Sequence, residues 1–360
     1  MSGNFTESRP ELRDPAPASP GKDPFGSSWG GRGVVVQAVL LLLLGYAMWW
    51  LLSPGYDHLI FANALVNTVL ALGLLLTLRA GRLSLAQASL AGVGGYVSAY
   101  IAVHSQLNLL LTLLMGAVAA AVVGAVVGFL ALRLQGFYFV IATLAFSQTF
   151  TIVTGAWQSV TGGLNGIIGI PRLSTVTGVG LFDFSFGGGY TGYSLLLLVA
   201  VAVCFVTVGL AIGRNRVGRA ITAVGEDDTL AAALGAGVTR WRMAAFVVGS
   251  LMAGFVGAVQ ASYLGAAAPT TYNINASVLI LAMVFLGGSR SLPGAVVGAF
   301  ALTYIPEWLR FGDQTQLLFT GLFFVFIAFA LPKGLLPTIA ALWRRIVRSR
   351  GRSTTSEGTS

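Results

Sequence analysis

Apolar residues fill most of this chain in long stretches, and short polar segments separate them. A helix needs about 20 apolar residues to cross the ~30 Å hydrocarbon core of a bilayer, and the pattern supplies about ten such stretches. The expected fold is all-α, a polytopic transmembrane helix bundle. The predicted spans are Val34–Leu52, Leu59–Leu78, Ala86–Val103, Leu107–Leu132, Gly136–Val153, Tyr193–Ile212, Met243–Leu264, Ala276–Leu286, Pro293–Leu309 and Leu317–Leu331.

Basic residues predict the orientation of the bundle. An even number of spans puts both termini on the same side. If that side is the cytoplasm, every Lys and Arg except Arg172 and Arg310 lies on it. Cytoplasmic loops of membrane proteins carry an excess of Lys and Arg. We therefore expect both termini to be cytoplasmic and the protein to lie in a bacterial inner membrane.

The two ends of the chain differ from the apolar region 34–331. Residues 1–33 are rich in Pro, Gly and Ser, a composition that predicts a disordered cytoplasmic tail. In 332–360, apolar residues from Leu335 to Ile346 recur at helical spacing. This pattern fits either an amphipathic helix on the anionic leaflet or the end of the last span, followed by a polar disordered tail.

The composition of the chain excludes a soluble globular protein and does not indicate nucleic-acid binding. The chain is 56% hydrophobic and 9% charged, with a mean hydropathy of +0.82. Soluble domains are about one quarter charged. The net charge of +9 follows from membrane topology, because the basic residues are scattered between spans rather than interleaved with aromatic residues. We therefore expect the lipid bilayer, and no nucleic acid, among the partners of the chain.

Residues with catalytic or metal-binding chemistry are sparse. Cys204 is the single cysteine, and His58 and His104 do not have metal-ligand spacing. Gly21-Lys22 is not part of a phosphate-binding glycine loop. We expect no catalytic residues, no metal site and no cofactor in this chain. An ATP-driven process would need ATP and Mg²⁺ on a separate ATPase subunit.

The predicted spans carry no acidic or basic residue near their centres. Ion-coupled carriers commonly keep such residues in the membrane, because a costly buried charge is retained for function. The pattern favours an energy source outside the bilayer. Some sodium sites use only neutral oxygens, so a secondary carrier driven by an ion gradient remains an alternative.

The longest structured cytoplasmic loop, 213–242, contains a predicted short helix. Glu226, Asp227 and Asp228 precede a run of small and apolar residues that ends at Gly235. Acidic residues stabilise a helix N-terminus, and glycine suits the left-handed position after a helix end. The sequence indicates a helix of about two turns with a small-residue face. It would either dock on a cytoplasmic partner or rest on the membrane as a connector.

Polar residues elsewhere suggest either a pathway or helix packing. The outer loop Thr161–Pro171 is rich in Gly, Asn and Pro and predicts a series of tight turns. Asn63 and Asn67 are one helical turn apart, and Thr143, Ser147 and Thr151 repeat every four residues. Each set either lines a pathway or hydrogen-bonds a neighbouring helix.

These segments together resemble the permeases of branched-chain amino acid ABC transporters, specifically the second permease subunit. The resemblance runs from about Asn63 to Leu331. It is carried by Ala71-Leu72-Gly73-Leu74, Gly81-Arg82-Leu83-Ser84-Leu85, Gly92-Val93-Gly94-Gly95-Tyr96, Thr161–Pro171, Val217-Gly218-Arg219-Ala220, Glu226–Gly235, Ala282-Met283-Val284-Phe285-Leu286-Gly287-Gly288 and Gly294-Ala295-Val296-Val297-Gly298-Ala299.

The resemblance implies an import function and its partners. These are a second, homologous permease subunit, two ATP-binding subunits and an extracytoplasmic solute-binding protein. The implied ATPase-coupling residues are Arg219, Glu226, Asp227, Asp228, Ala231, Ala232 and Gly235. Candidate pathway residues are Asn63, Asn67, Ser84, Gln87, Thr143, Ser147 and Asn165.

The sequence departs from the family at the start of the third span. The family commonly has Gly-His where this chain has Ala86-Gln87, and it differs near Arg79-Ala80. Permeases for urea and short amides share nearly the same motifs. The expected solute is a branched-chain amino acid, with urea or a short amide as the alternative. An intramembrane enzyme is not supported, because no catalytic set is present.

Overall fold

The computed structural model describes residues 31–52, 56–105, 107–134, 136–171, 190–213, 215–289 and 291–308. These residues are mainly helical. The helices are α1 (Gly31–Leu51), α2 (Tyr56–Arg79), α3 (Gln87–His104), α4 (Leu109–Ala131), α5 (Phe137–Ala156), α6 (Gln158–Thr161), α7 (Tyr190–Ile212), α8 (Arg216–Glu226), α9 (Asp228–Ala233), α10 (Val238–Leu264), α11 (Ile274–Gly287) and α12 (Leu292–Trp308).

Close backbone packing joins α3, α4 and α10 at the centre of the bundle. A Cβ atom on Gly94 of α3 would lie 2.2 Å from the carbonyl oxygen of Gly254 on α10. A Cβ atom on Gly257 would lie 2.0 Å from the carbonyl oxygen of Ala91, and one on Gly116 of α4 would lie 2.5 Å from that of Gly94. Small residues let membrane helices approach this closely and gain van der Waals contact. Glycine is therefore required at these positions.

Helix α2 is the other central element and packs against α7, α10 and α12. Its apolar residues are buried over nearly its whole length. The amide of Asn67 donates a hydrogen bond to Thr303 Oγ1 of α12 at 3.0 Å. Helix α1 lies at the periphery against α7, and most of its large apolar side chains are exposed. Exposed apolar side chains on a membrane helix are compatible with lipid contact.

Each predicted span from Val34 to Leu309 coincides with a helix to within a few residues. Six described helices, α1, α2, α4, α5, α7 and α10, are long and apolar enough to cross a membrane. The protein is therefore a multi-pass membrane protein. The last predicted span, Leu317–Leu331, and the tail 332–360 lie outside the described residues. The total of about ten spans and the cytoplasmic position of both termini stay predictions.

Three features were not predicted. Helix α1 begins at Gly31, so the end of the segment assigned to the N-terminal tail belongs to a helix. A helix, α8, precedes the predicted short helix in the loop 213–242. Strand β1 (Ile167–Ile168) pairs antiparallel with strand β2 (Ala266–Ala267). Two-residue strands produce no detectable alternation of apolar and polar residues, so the sequence gives no signal for this pairing.

The short β-ribbon ties the loop Thr161–Pro171 to the end of α10. Gly166 has a φ of 72°, and a Cβ atom on it would lie 2.0 Å from the carbonyl oxygen of Ala267. Gly169 N and Ile170 N both donate to the carbonyl oxygen of Gly265, which follows α10. The glycines of the loop therefore permit close backbone packing over the bundle, as the run of turn residues predicts.

Candidate coupling surface and translocation residues

Helix α8 anchors the loop 213–242 to the bundle. Gly218, Ile221 and Val224 are buried, whereas the opposite side of the helix is exposed. This face packs against α2, α7 and α10. The exposed side carries Arg219, and Glu226 ends the helix on the exposed surface. The loop is thus a packed element, and a force on it can reach three helices of the bundle.

A backbone contact joins the end of α8 to the turn that follows α2. A Cβ atom on Gly225 would lie 2.0 Å from the carbonyl oxygen of Arg79. Gly81 faces Gly225 from the other side and has a φ of 79°, which favours glycine. Because neither position has room for a side chain, the two segments are held in direct contact.

The N-terminus of α9 is capped by Asp227. Its Oδ1 accepts hydrogen bonds from Thr229 Oγ1 at 2.6 Å, Thr229 N at 2.9 Å and Leu230 N at 3.0 Å. The bond from the Thr229 hydroxyl, with those from the two backbone amides, holds the pKa of the Asp227 carboxyl below its usual value. The acidic cluster therefore starts the helix as the sequence predicts.

The C-terminus of α9 closes on Gly235. This residue has a φ of 82°, and the amides of Gly235 and Ala236 donate to the carbonyl oxygens of Ala232 and Ala231. The pattern is a Schellman-type helix end, in which glycine takes the left-handed position. Gly235 has no heavy atom within 4 Å of an added Cβ atom, so the turn itself projects from the protein.

An exposed apolar surface lies on α9 and its C-terminal turn. Ala231 is buried, whereas Leu230 and Leu234 are 59% and 79% exposed. Ala232 is also exposed. We call Leu230, Ala232 and Leu234 the α9 surface. Adjacent leucines this exposed on a rigid element are typical of a surface that binds a partner protein or rests on the membrane.

Arg242 near the start of α10 fixes the position of α9. Its Nη2 donates to Asp228 Oδ2 at 3.0 Å, and its Nε donates to the carbonyl oxygen of Ala80 at 3.3 Å. The neighbouring Arg82 guanidinium stacks 5.7 Å from the centre of the Phe139 ring. Burial, with the positive charge of Arg242, lowers the pKa of Arg82 from its usual value, and Asp228 opposes this effect. The Asp228 carboxylate therefore lies beside two arginines, Arg242 and Arg82.

Four candidate pathway residues meet where the chain enters α3. The amide of Leu85 donates to Thr143 Oγ1 at 3.1 Å, and Ser147 Oγ donates to the carbonyl oxygen of Leu85 at 2.7 Å. Ser84 Oγ accepts from Ala86 N at 3.2 Å, and Gln87 Nε2 donates to the carbonyl oxygen of Gly249 at 3.1 Å. Non-helical backbone is tolerated at membrane depth only when such partners satisfy it. In this structure the four side chains are therefore buried and hydrogen-bonded to backbone.

Two serines extend this hydrogen-bonded cluster to α11. Ser89 Oγ donates to Ser147 Oγ at 2.8 Å and lies 3.5 Å from the carbonyl oxygen of Tyr272. The amide of Ala88 donates to Ser277 Oγ of α11 at 3.2 Å. Free amides at the start of α3 are thus satisfied by a neighbouring helix. Together these bonds hold α3, α5 and α11 in fixed relative positions.

The remaining candidates lie apart from this cluster. Asn63 is partly buried on α2, and Asn67, one turn later, bonds to α12. Asn165 is exposed in the 3-10 turn Gly163–Asn165 of the loop Thr161–Pro171. Within the described ranges, no three His, Cys, Asp or Glu side chains are grouped as a metal site requires. The candidates therefore do not form one site.

Sequence reasoning missed the residues that connect these elements. Arg242, Gly225, Ser89 and Ser277 each act through a partner that is distant along the chain. Arg242 stands out locally only as a basic residue before an apolar span, a common arrangement in membrane proteins. Only the folded structure pairs these residues.

Comparison with known proteins gives related sequences. Residues 59–331 match the family described as branched-chain amino acid transport system / permease component. The LivM permease of the high-affinity branched-chain amino acid transport system from Salmonella typhimurium is 31% identical over 225 residues, which cover 58% of this chain and 53% of that protein. LivM from Escherichia coli is 30% identical with the same coverage.

Another relative belongs to a different import system. The autoinducer 2 import system permease LsrC from an Enterobacter species is 31% identical over 175 residues, which cover 46% of each chain. The chain spans about half the length of the curated relatives it matches. No solved structure matches. Because the family match covers most of the chain, this protein belongs to the permease component family of branched-chain amino acid transport systems.

Proposed function

We propose that the chain is the membrane-spanning permease subunit of an ABC importer that carries branched-chain amino acids across the inner membrane. Separate ATPase subunits, which bind ATP and Mg²⁺, drive its alternation between outward-open and inward-open states. A second permease subunit completes the pathway, and an extracytoplasmic binding protein delivers the solute. Family membership and the similarity to LivM support this assignment.

The α9 surface is the observation that carries the proposal. Leu230 and Leu234 are exposed on a short helix that Asp227 and Gly235 delimit. This helix is fixed to α10 and to the turn after α2 through Arg242. A partner that binds the α9 surface and then moves would move both spans. Such rigid-body motion of a packed element is an established way to switch between conformations.

The distribution of charge supports an external energy source. Among the described residues, the acidic and basic residues of the long apolar helices lie near helix ends, as Asp57 and Arg79 do in α2. A carrier driven by protons commonly needs a titratable group near the centre of the membrane. ATP hydrolysis on separate subunits meets the energy requirement without one.

Substitution of the α9 surface tests the ATPase interaction. Leu230→Asp and Leu234→Asp should prevent co-purification of the ATPase subunits and abolish uptake, because a charge in an apolar interface is costly to bury. Leu164→Asp is the matched control, since Leu164 is 78% exposed on the outer loop and Leu234 is 79% exposed on α9. Normal co-purification of ATPases with both α9 variants would contradict the coupling role.

Uptake by the reconstituted importer tests the solute. Proteoliposomes with the permeases, ATPases and binding protein should accumulate labelled leucine, isoleucine or valine when ATP is inside. Uptake of urea or acetamide instead of these amino acids would assign the protein to the related amide permeases. Uptake that needs an ion gradient and no ATP would identify a secondary carrier.

A further inference from the structure

Two amide side chains are exposed on neighbouring helices within the membrane region. Gln148 lies on the exposed side of α5, and Asn275 lies on the exposed side of α11. Among the described residues neither side chain has a hydrogen-bond partner. Asn273, not Asn275, caps α11, because its Oδ1 accepts from Ala276 N at 3.0 Å. Neither amide is therefore required by the fold of this chain.

The two residues lie at similar heights along the bundle, because the nearby Ser147 and Ser277 bond consecutive residues of α3, Ser89 and Ala88. With a rise of 1.5 Å per residue, Gln148 lies about 16 Å along α5 from Phe137. Asn275 lies about 18 Å along α11 from Gly287, the C-terminal end of that helix. Measured from these two helix ends, both residues fall near the middle of a hydrocarbon core of ~30 Å.

The buried cluster holds these two helices in place. Helix α11 packs against both α3 and α5. Ser147, which immediately precedes Gln148, bonds Ser89 of α3, and Ser277 of α11 accepts from the α3 backbone. The distance between the two exposed amides is therefore set by a rigid network rather than by mobile side-chain packing.

The surface around Gln148 is otherwise apolar. On the same side of α5, Ile141, Leu144 and Ile152 are exposed by 46%, 36% and 66%, and Val278 of α11 is 49% exposed. An amide that faces lipid cannot make hydrogen bonds, and polar groups in the membrane generally face protein or a water-filled path. A polar contact at mid-membrane beside short aliphatic groups matches a solute with a polar head and a branched apolar side chain.

We propose that Gln148 and Asn275 line the translocation route and contact the solute. This inference rests on the proposed import function and names residues for it. The amide NH₂ groups donate to the solute carboxylate, the amide oxygens accept from its ammonium group, and the aliphatic residues contact its side chain. Neutral amides can bind a zwitterion without holding a net charge in the membrane, so the solute can also leave.

Cysteine labelling tests water access directly. Cys204 is the single cysteine and is buried, so a Cys204→Ala background allows one reporter at a time. In the complete importer, Gln148→Cys and Asn275→Cys should react with a membrane-impermeant methanethiosulfonate reagent, and leucine-loaded binding protein with ATP should change the rate. Val122→Cys is the control, because Val122 is 58% exposed on α4 in an apolar stretch. Reporters at 148 and 275 as unreactive as that at 122 would overturn the proposal.

Transport measurements separate contact with the solute from subunit assembly. Gln148→Leu and Asn275→Leu should lower leucine uptake at least tenfold per ATP hydrolysed, and Gln148→Asn should restore part of it. Gln158→Leu, which changes an exposed amide on α6, is the control. Normal uptake by both leucine variants would overturn the inference, and so would loss of the second permease on purification, which would identify a subunit interface. If the unsubstituted importer moves no amino acid, the proposed function fails, whereas labelling still reports whether a water-filled route exists.

Discussion

Arg242 and Asp228 form an ion pair at 3.0 Å that links the start of α10 to the first turn of α9. The arginine side chain is 11% exposed and the aspartate side chain is 45% exposed. The same guanidinium bonds the carbonyl oxygen of Ala80 after α2. One side chain therefore connects the short helix α9 with two central membrane helices.

Loss of this pair should uncouple the permease more than it destabilises it. Asp228 is 45% exposed, so water can solvate its carboxylate once the arginine is removed, and the loss should stay close to that of an exposed pair, about 0.2–1 kcal/mol. Arg242→Met should therefore change the melting temperature little, while uptake per ATP hydrolysed falls severalfold because α9 is no longer fixed to α10. Arg242→Lys should not fully restore coupling, since lysine cannot replace the two directed hydrogen bonds.

A double-mutant cycle checks that the two residues act together. Asp228→Asn and Arg242→Met should each reduce the coupling ratio, which is the uptake per ATP hydrolysed. The double variant should be little worse than either single variant. Fully additive losses would show that the contact does not transmit the motion.

Gly225 should not tolerate even a methyl group. A Cβ atom there would meet the carbonyl oxygen of Arg79 at 2.0 Å. Gly225→Ala should cost about 1–3 kcal/mol by overpacking, and coupling should fall with it. Gly237→Ala is the matched control, because its Cβ atom would meet only Arg240 Cβ at 3.6 Å. Thermal unfolding in detergent and the coupling ratio should both distinguish the two variants, and equal behaviour would contradict the close contact.

The Asp227 cap should depend on pH only in acid. Because its folded-state pKa lies below the usual value, its stabilisation is present above the unfolded pKa and is lost as pH falls through the folded pKa. Asp227→Ala should speed hydrogen exchange of the Thr229 and Leu230 amides severalfold at neutral pH. Asp227→Asn should largely preserve protection, because the side-chain oxygen can still accept. Unchanged hydrogen exchange in Asp227→Ala would show that this cap does not stabilise the start of α9.

Gly257 should be essential for packing of α3 against α10. A Cβ atom on Gly257 would lie 2.0 Å from the rigid backbone oxygen of Ala91, whereas one on Gly45 would meet the flexible end of Leu198. Gly257→Ala should lower stability by about 1–3 kcal/mol. Gly45→Ala should be tolerated, because the leucine can change its rotamer. Melting temperatures and yields of folded protein in detergent compare the pair. Similar values would show that α3 and α10 can move apart at little cost.

Local signals in the sequence predicted the long helices and the short helix α9. Long apolar runs located the spans, while Asp227 and Gly235 marked the two ends of α9. These signals depend on neighbouring residues only. The first helix of the loop, α8, was missed although a local signal was present, since its buried residues Gly218, Ile221 and Val224 recur at helical spacing opposite a polar face.

Candidate pathway residues were harder to choose from sequence. Thr143 and Ser147 turn inward and satisfy the backbone of Leu85, whereas Gln148, the next residue after Ser147, faces outward. Hydrophobicity all around a membrane helix leaves no amphipathic pattern to distinguish its faces. Adjacent polar residues therefore looked equivalent until the neighbouring helices were in place.

By itself, the sequence determined that the chain is a membrane helix bundle with a short capped helix between two spans, because span length, hydropathy and helix ends are local properties. Tertiary structure alone decided that Arg242 joins α9 to α10 and that β1 pairs with β2. It also decided which polar side chains are buried and which are exposed. Helix rotation in a membrane depends on packing between segments distant along the chain, and no local pattern records it.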